Sequence, residues 1–471
     1  MTITENTQSF NEIERKVSRL VNCEGCKMLR TILEDWDRHL METRDKDVYR
    51  HKGKQKTTIK TTMGEVEYSR VVYEVWEGGV KIGHCYLLDE AMGISCKGQL
   101  SDFLCAVIVE SSCSGSYRDA SQAVSEMTGQ TISHTTAWHV VQSIGTDIDG
   151  HENRLATLAS KDKGCGTIET KVLFEEQDGI SLSLQGKSRK EHGERKDMKL
   201  AIAYDGAMRS GKNRYRLTNK VACANFEGID DFVGRKEGII ADAYNIDEIE
   251  MRFLNGDGAS WIRRNLYDES IHYQLDTFHR NKWVTEKVSD ETARKSIMKA
   301  LYSNDPDLLL HVIEVEAGST EDENARENYL KLHSYFEKNK DGIVPYQQRG
   351  LPIPPPPEGK EYRRMGACES NIFTMIGNRM KGRRASWSIK GGNNLARLLC
   401  LKHTGRLGEM LENLSTTVLP ERYAEAITVE MSAAKTPQRE GKGYDGFHHA
   451  SIPSTQKWLK ELAALKPLSR L

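Results

Sequence analysis

The sequence predicts a multidomain α/β protein, and three observations predict it. The chain runs to 471 residues, too long for one ordinary core. Between about residues 172 and 275, short apolar runs with strand periodicity alternate with helix-like and turn-like stretches. From Asn281 to about Phe336 the pattern is helical and charged with no strand signal, so an all-helical block follows the α/β layer.

In chain order, residues 10–45 read as helix, with Ile13, Val17, Leu20, Leu29, Ile32, Leu33, Trp36 and Leu40 at helical spacing. Within it, Cys23-Glu24-Gly25-Cys26 has no second Cys or His pair nearby and reads as two unligated helix cysteines ahead of a zinc site. Val66, Tyr68, Val71, Val72, Tyr73 and Val75 read as strand before Gly78-Gly79, a hairpin signal. Residues 116–145 read as a helix-turn-helix. Ala120, Ala123, Val124 and Met127 form one stripe, Thr128-Gly129-Gln130 breaks the helix, and Ser133 can cap a second helix carrying Ala137, Val140, Val141 and Ile144. Its outward residues His134, Thr135, Thr136 and His139 are short polar groups able to reach base edges or phosphates, although any αα-hairpin would carry the same pattern.

Past a charged spacer near Lys161–Gly166, Val172–Phe174 and Ile180–Leu184 read as two strands, and Lys199–Tyr204 and Gly238–Ala241 as two more. Residues 246–254 lead into LNGDGASWI, and His272–Leu275 gives a last short strand. Six of the eleven prolines lie between Pro345 and Pro357, a stiff extended spacer. Helix resumes near Met365, and again near Gln456–Leu465. The segments are 1–110, an N-terminal helix plus β-hairpin region; 111–150, the helix-turn-helix; and 165–280, the first part of the α/β domain. They continue with 281–345, the helical block; 346–410, the proline-rich linker and the helix that completes the α/β domain; and 411–471, a helical tail.

Composition narrows the function classes. With 38% hydrophobic and 29% charged residues the chain suits a soluble globular protein, not a disordered one. MTITENTQSF has no apolar h-region, no apolar run approaches a membrane span, and the ten cysteines are scattered. A cytoplasmic protein with no membrane partner is therefore expected. The net charge of -1 attracts no nucleic acid globally, so binding would need local patches. Arg50–Lys56 is one, and Ser370–Gly408 is another, with no Asp or Glu but with Arg379, Lys381, Arg383, Arg384, Lys390, Arg397, Lys402 and Arg406. A solvated face would explain a single such run. Two, with Trp387 and Asn393-Asn394 interleaved, favour a phosphate-backbone track.

Three acids carry the chemistry. Asp178 follows the first strand of the α/β region, although Asp-Gly between alternating runs is also a hairpin signal. Asp257 stands between two glycines before a helix start at Ala259, where it could serve as an N-cap. Glu369 precedes Ile372, Phe373 and Ile376 at helical spacing, which predicts that it projects from a core-facing stripe. A carboxylate there would cost several kcal/mol unless it met a cation or a metal; a helix-start carboxylate and an arginine salt bridge stay open beside the metal. Together the three could hold two Mg²⁺ ions for phosphoryl transfer, with the glycines leaving room for a phosphate.

The ordered set MGEVEYSRVVYEVW, YLLDEAMGI, SYRDASQAV, SHTTAWHVV, QDGISLSLQ, LNGDGASWI, LDTFHRNKW and CESNIFTMIGNRMKGRRASWS resembles the ISLre-two family of insertion-sequence transposases. That family is also catalogued as uncharacterised protein family number 0236, and the likeness runs from about Thr57 to Leu407. The resemblance implies an Asp-Asp-Glu transposase related to Mutator-like elements, with a ribonuclease-H-like catalytic domain interrupted by an all-helical insertion. It implies that Asp178, Asp257 and Glu369 are catalytic and hold two Mg²⁺ ions, with Mn²⁺ an alternative. Asp276 and His279 match the signature that follows the second Asp in Mutator-like relatives, although Asp276 could equally be an N-cap with His279 in the first turn; the pair would then orient the site or contact DNA. Ser370-Asn371 departs from the small residue and His that often follow the Glu in relatives. On this reading His134, Thr135, Thr136 and His139 find the element's ends, and Arg379, Lys381, Arg383 and Arg384 hold backbone phosphates. The partners implied are DNA, both element ends and target, and further copies of the chain in the nucleoid of a bacterial cytoplasm. The alternative is a non-catalytic DNA-binding protein, a decayed copy or a repressor.

Overall fold

The computed structural model describes residues 9–93, 100–161, 163–164, 166–382 and 384–414. The tail expected from residue 411 therefore lies outside the described residues beyond Leu414, as does Arg383. The described residues divide into two compact units: those up to 108 with 122–133 and 413–414 in one, and those in 109–121 and 134–412 in the other. Each is mixed in secondary structure, so the multidomain α/β expectation holds at that level. Among the described residues no helix is long and apolar enough to cross a membrane.

In the first unit, helix α1 (Phe10–Thr43) precedes an antiparallel sheet of β1 (Tyr49–Thr61), β2 (Gly64–Glu77) and β3 (Val80–Cys85), with α2 (Leu87–Ala91) after it. The second half of α1 lays Leu29, Ile32, Leu33 and Trp36 on Ile59, Val66 and Tyr68. Buried Asp37 takes the Val71 amide with both oxygens at 3.1 Å. Gly78 and Gly79 turn the β2–β3 hairpin with φ of 57° and 81°, left-handed values that glycine adopts without a Cβ clash. The basic run Arg50–Lys56 lies within β1, paired along β2, a strand whose signal in the sequence begins only near Thr57. Its alternating exposed lysines masked the strand.

Helices α3 (Asp102–Ser114), α4 (Tyr117–Thr128) and α5 (His134–Ala159) follow, with a turn at Gly129 where φ is 68°. On α4 the buried positions are Ala120, Ser121, Val124 and Thr128, while Ala123 and Met127 are exposed. The expected stripe was thus rotated: two small hydroxyls are buried in place of two apolar residues. On α5 the stripe Ala137, Val140, Val141 and Ile144 is buried as expected, and the helix runs for 26 residues.

The second unit is built on β4 (Val172–Ser183). Helix α6 (Gly186–His192) leads into β5 (Arg195–Tyr204), the ribbon β6 (Ala207–Gly211) and β7 (Arg214–Leu217), and β8 (Val221–Asn225). Helix α7 (Ile229–Ala243), β9 (Met251–Gly256), α8 (Ser260–Arg263) and β10 (Ile271–Leu275) complete a five-stranded sheet of order β10-β9-β4-β5-β8. β5 is antiparallel to β4 and to β8, whereas β9 is parallel to β4 and β10 to β9. Two expectations fail here. Asp178-Gly179 turns no hairpin, because the two expected strands are one, pairing with β5 through Asp178↔Leu200 and Gly179↔Lys199. Gly238–Ala241 is not a strand but part of α7, an apolar run buried as helix.

Alternation along β4 sends Leu173 and Glu175 to one face, Phe174, Glu176 and Asp178 to the other. On the first face Leu173 packs with Phe232, Ile240 and Tyr244 of the α7 region. Glu175 is bound there by Lys236 at 2.6 Å and by Arg252 at 2.6 Å. On the second face Phe174 stacks with Tyr204 and Phe253 of the neighbouring strands, both at 5.6 Å, and Tyr346 covers them.

Four helices, α9 (Thr277–Lys287), α10 (Glu291–Tyr302), α11 (Pro306–Ser319) and α12 (Glu323–Lys338), follow β10 and share one core with Leu254, Tyr273 and Leu275. Residues 351–357 carry no helix or strand. Then α13 (Cys368–Asn371) runs through a π-helical stretch (Ile372–Gly377) into α14 (Asn378–Met380), and α15 (Ile389–Thr404) and α16 (Leu407–Leu414) follow. Arg397 of α15 and Arg235 of α7 clamp Glu152 and Asp149 of α5 in a largely buried ion cluster.

The α5–α7 crossing is close because Gly238 leaves a gap: a Cβ there would sit 2.5 Å from the Ala156 backbone nitrogen. At Gly234, one turn earlier, a Cβ would meet only the Ala156 Cβ at 3.9 Å. Gly238→Ala should therefore destabilise by about 1–3 kcal/mol, whereas Gly234→Ala should gain up to about 1 kcal/mol of helix propensity. Urea unfolding of the two variants checks the opposite signs.

Candidate metal centre

The parallel strands bring acids to one edge. Glu176 of β4 pairs with Asn255 of β9, so Asp178 and Asp257 each lie two residues beyond that pair. Leu275 of β10 pairs with Gly256, which sets Asp276 level with Asp257. All three stand at the carboxyl end of a parallel strand pair, where open α/β sheets bind ligands.

Asp276 caps α9. Its Oδ1 accepts the His279 amide at 3.0 Å and lies 3.0 Å from the ring Nδ1, while Oδ2 accepts the Asn255 side-chain amide at 2.9 Å. Burial would raise its pKa, yet the bonds from His279 and Asn255 outweigh it and hold the carboxyl below its usual range. His279 then directs Nε2 to Asp178 Oδ2 at 3.6 Å. The bond to Asp276 raises the imidazole's pKa against burial, and the charges of Asp178 and Asp257 add to it. Burial pushes Asp178 up to about 6, with Asp257 and Glu369 raising it further and His279 and the Gly179 amide opposing.

Glu369 lies on α13, and a correction attaches to it. It is exposed, as is Phe373 one turn later, and the buried positions are Cys368, Asn371, Ile372, Met375, Ile376 and Met380. The expected stripe assumed 3.6 residues per turn throughout, but the π-helical stretch shifts the register after Asn371. The burial-cost argument for Glu369 therefore falls, and geometry replaces it. One ligand atom each of Asp178, His279 and Glu369 lie within 4.8 Å of one another. They line a cleft of about 590 Å³ together with Phe278, Phe373 and Lys381.

Asp257 stands outside that trio. It is half-buried, and its Oδ1 caps the Ala259 amide at 2.8 Å. The glycines beside it serve packing rather than phosphate approach: a Cβ on Gly256 would meet Ile262 at 2.8 Å, and one on Gly258 would meet Asn339 at 2.6 Å.

Two carboxylates and an imidazole whose far nitrogen is held by a third carboxylate make a donor set that could hold a divalent cation. Oxygen donors suit Mg²⁺ or Mn²⁺, and the imidazole extends the choice to Zn²⁺. The trio fits one ion.

Glu176 was missed. It is inaccessible to water, and Oε1 takes the Tyr204 hydroxyl at 2.7 Å. Oε2 takes the Asn255 amide at 3.1 Å and the backbone amides of Gly366 and Cys368, both at 3.0 Å. The last two tie the start of α13 to the central strand. Burial pushes its pKa up against these donors. The available signal was two acids inside the apolar run VLFEEQDGISL.

Of the expected DNA contacts, His134, Thr135 and His139 are exposed on the first turns of α5, and Thr136 is half-buried. Lys381 and Arg384 are exposed. Arg379 is built into the unit, donating from Nε to the Ser112 carbonyl at 2.7 Å between the rings of Tyr117 and Trp387.

In chelator, Asp178→Asn should stabilise the protein near pH 8 by up to about 3 kcal/mol. A carboxyl whose pKa is raised on folding contributes fully below its unfolded value of 3.8 and loses that contribution as pH rises through about 6. The gain should therefore vanish near pH 4, which thermal unfolding across this range measures. Glu176→Ala strands several buried donors and should cost about 3 kcal/mol or more by urea unfolding.

The model of an uncharacterised protein family, UPF0236, matches residues 3–413. A UPF0236 protein from the vanSb 3′ region of Streptococcus gallolyticus is 24% identical over 414 residues, 86% of this chain and 85% of that protein. A UPF0236 protein of Caldanaerobacter subterraneus subsp. tengcongensis, named for eleven loci, is 23% identical over 408 residues, 86% of this chain and 80% of its own length. Among solved structures, a chain of the Drosophila P element transposase strand transfer complex is 10% identical, with 71% of this chain and 86% of that one covered. Its TM-score is 0.21, too low for the likeness to bear on this chain.

Proposed function

The chain belongs to the uncharacterised family UPF0236, and we propose that it is a metal-dependent DNA transposase whose second unit is a ribonuclease-H-like catalytic domain interrupted by the helices α9–α12. One observation carries the reading. A sheet of order β8-β5-β4-β9-β10, with an antiparallel half and a parallel half, sets Asp178 on its central strand and Asp257 at the end of the next, and α13 brings Glu369 within 4.8 Å of Asp178 and His279. The eleven loci of the Caldanaerobacter relative also support it, as copies of a mobile sequence would be repeated in a genome.

On this reading Asp178 and Glu369 are anionic ligands for divalent metal, with Asp257 beside them for a second ion. Asp276 holds His279 in the orientation that turns Nε2 to the site. Lys282 and Lys381 line the same cleft and would meet DNA phosphates, with exposed Arg384 nearby in sequence. When bound, two Mg²⁺ or Mn²⁺ ions supply Lewis-acid stabilisation of the attacking and leaving oxygens. Phosphodiester hydrolysis would free a 3′-hydroxyl at the element's end, which would then attack target DNA. His134, Thr135, Thr136 and His139 would recognise the ends, and two ends imply at least two copies of the chain.

The test is Mg²⁺- or Mn²⁺-dependent nicking of DNA bearing the element's ends. Asp178→Asn and Asp257→Asn should each drop to background while DNA affinity is kept. Equal cutting by wild type and variants would overturn the assignment of the acids. DNA binding without cutting by any form would favour a non-catalytic DNA-binding protein.

A further inference from the structure

A second cavity of the catalytic unit, about 1000 Å³, opens beside the β6–β7 ribbon and the end of α15. It is reached by Ala367, Ser370 and Asn371 of the α13 turn, whereas Glu369 and Ile372 line the acid cleft, so the two cavities use different sides of one helix. Four cations line it, Arg216, Lys220, Lys360 and Arg406, against the carboxylates of Asp242 and Glu409.

Pairing separates these cations. Lys360 is held at 2.6 Å by Asp205, a fully buried carboxylate that also takes the side chains of Thr218 and Asn219. Arg406 is held by Asp242 at 2.6 Å. These two ion pairs form a fixed wall. Lys220 donates to the neutral Asn371 side-chain oxygen at 2.8 Å, and among the described residues neither it nor exposed Arg216 meets a carboxylate. Glu409 is exposed at the margin. A half-buried ammonium that meets no carboxylate carries a desolvation cost that pairing with an anion offsets. In keeping with this, burial lowers the Lys220 pKa, and burial followed by Lys220 and Lys402 lowers that of His403.

The chemistry of the anion follows from size and donors. The volume is that of a site for a nucleotide-sized ligand and exceeds the need of a single inorganic ion. A guanidinium fork at the rim and an ammonium at depth are the donors that grip phosphate oxygens. We propose that this cavity binds phosphate groups, of a nucleotide or of a nucleic-acid backbone, through Lys220 and Arg216. The inference stands apart from the role given to the acids.

Full-length protein is tested with pyrophosphate and, separately, with duplex DNA, and Lys220 is followed by reductive methylation and peptide mass spectrometry. Pyrophosphate should slow Lys220 labelling and raise the Tm saturably. Arg216→Gln, on an exposed ribbon that tolerates it, should weaken both effects, and Lys220→Met should lose the Tm rise. Protection by duplex DNA as well identifies a backbone ligand, whereas protection by pyrophosphate alone identifies a free phosphate compound. Unchanged Lys220 labelling with both probes overturns the site. Protection and a Tm rise that survive Arg216→Gln at full strength overturn it equally.

Discussion

The carboxylate of Glu176 has no access to water and, among the described residues, no cation beside it, and four neutral donors converge on it instead. Those donors come from β5, β9 and the start of α13, so one side chain on the central strand joins three strands to the helix that carries Glu369. Leaving such a group unsatisfied costs more than a typical hydrogen bond gains, so the arrangement is all-or-none. The same Asn255 amide bonds both Glu176 and Asp276, and Asp276 in turn holds His279. A continuous chain of hydrogen bonds thus runs from the packing of the sheet to the ligand atoms of the candidate metal centre.

Around this core the two faces of the sheet are held by different means. The face of α7 uses ions: Glu175 with Lys236 and Arg252, and beyond it the cluster of Asp149, Glu152, Arg235 and Arg397. The opposite face uses stacked rings from three strands. Placing the charge of Glu175 on the helix side leaves the buried Glu176 with neutral donors, and the main charges acting on Asp178 are those of His279, Asp257 and Glu369. Burial with unbalanced negative charge is what raises Asp178 to about 6. A divalent cation would offset both.

The helices α9–α12 are part of the site's support and not an appendage. They share a core with β9 and β10, and Tyr335 of α12 bonds the Asp257 carbonyl at 2.9 Å. Asn339 fills the space beside Gly258. The position of Asp257 therefore depends on residues some 80 places later in the chain, a long-range dependence that also applies to Glu369 through Glu176.

By itself the sequence determined the class of the protein and most of its pieces: the long N-terminal helix, the Gly78-Gly79 hairpin, the second stripe of the helix pair, the short strand at His272–Leu275 and the helical block. These are local in origin, set by periodicity and turn chemistry. It also singled out Asp178, Asp257 and Glu369, because acids beside apolar runs are conspicuous, and the family resemblance added Asp276 and His279. The tertiary structure alone decided how they meet. Asp178-Gly179 has the dipeptide of a turn, yet partners along β5 keep it extended; Gly238–Ala241 has the composition of a strand, yet a helix can approach α5 there because the missing Cβ of Gly238 allows it. The π-helical stretch turned Glu369 out of the core, and Glu176 stayed hidden because its donors are distant in the chain. Register, helix pitch and the satisfaction of a buried carboxylate are properties of neighbours, and neighbours exist only in the folded chain.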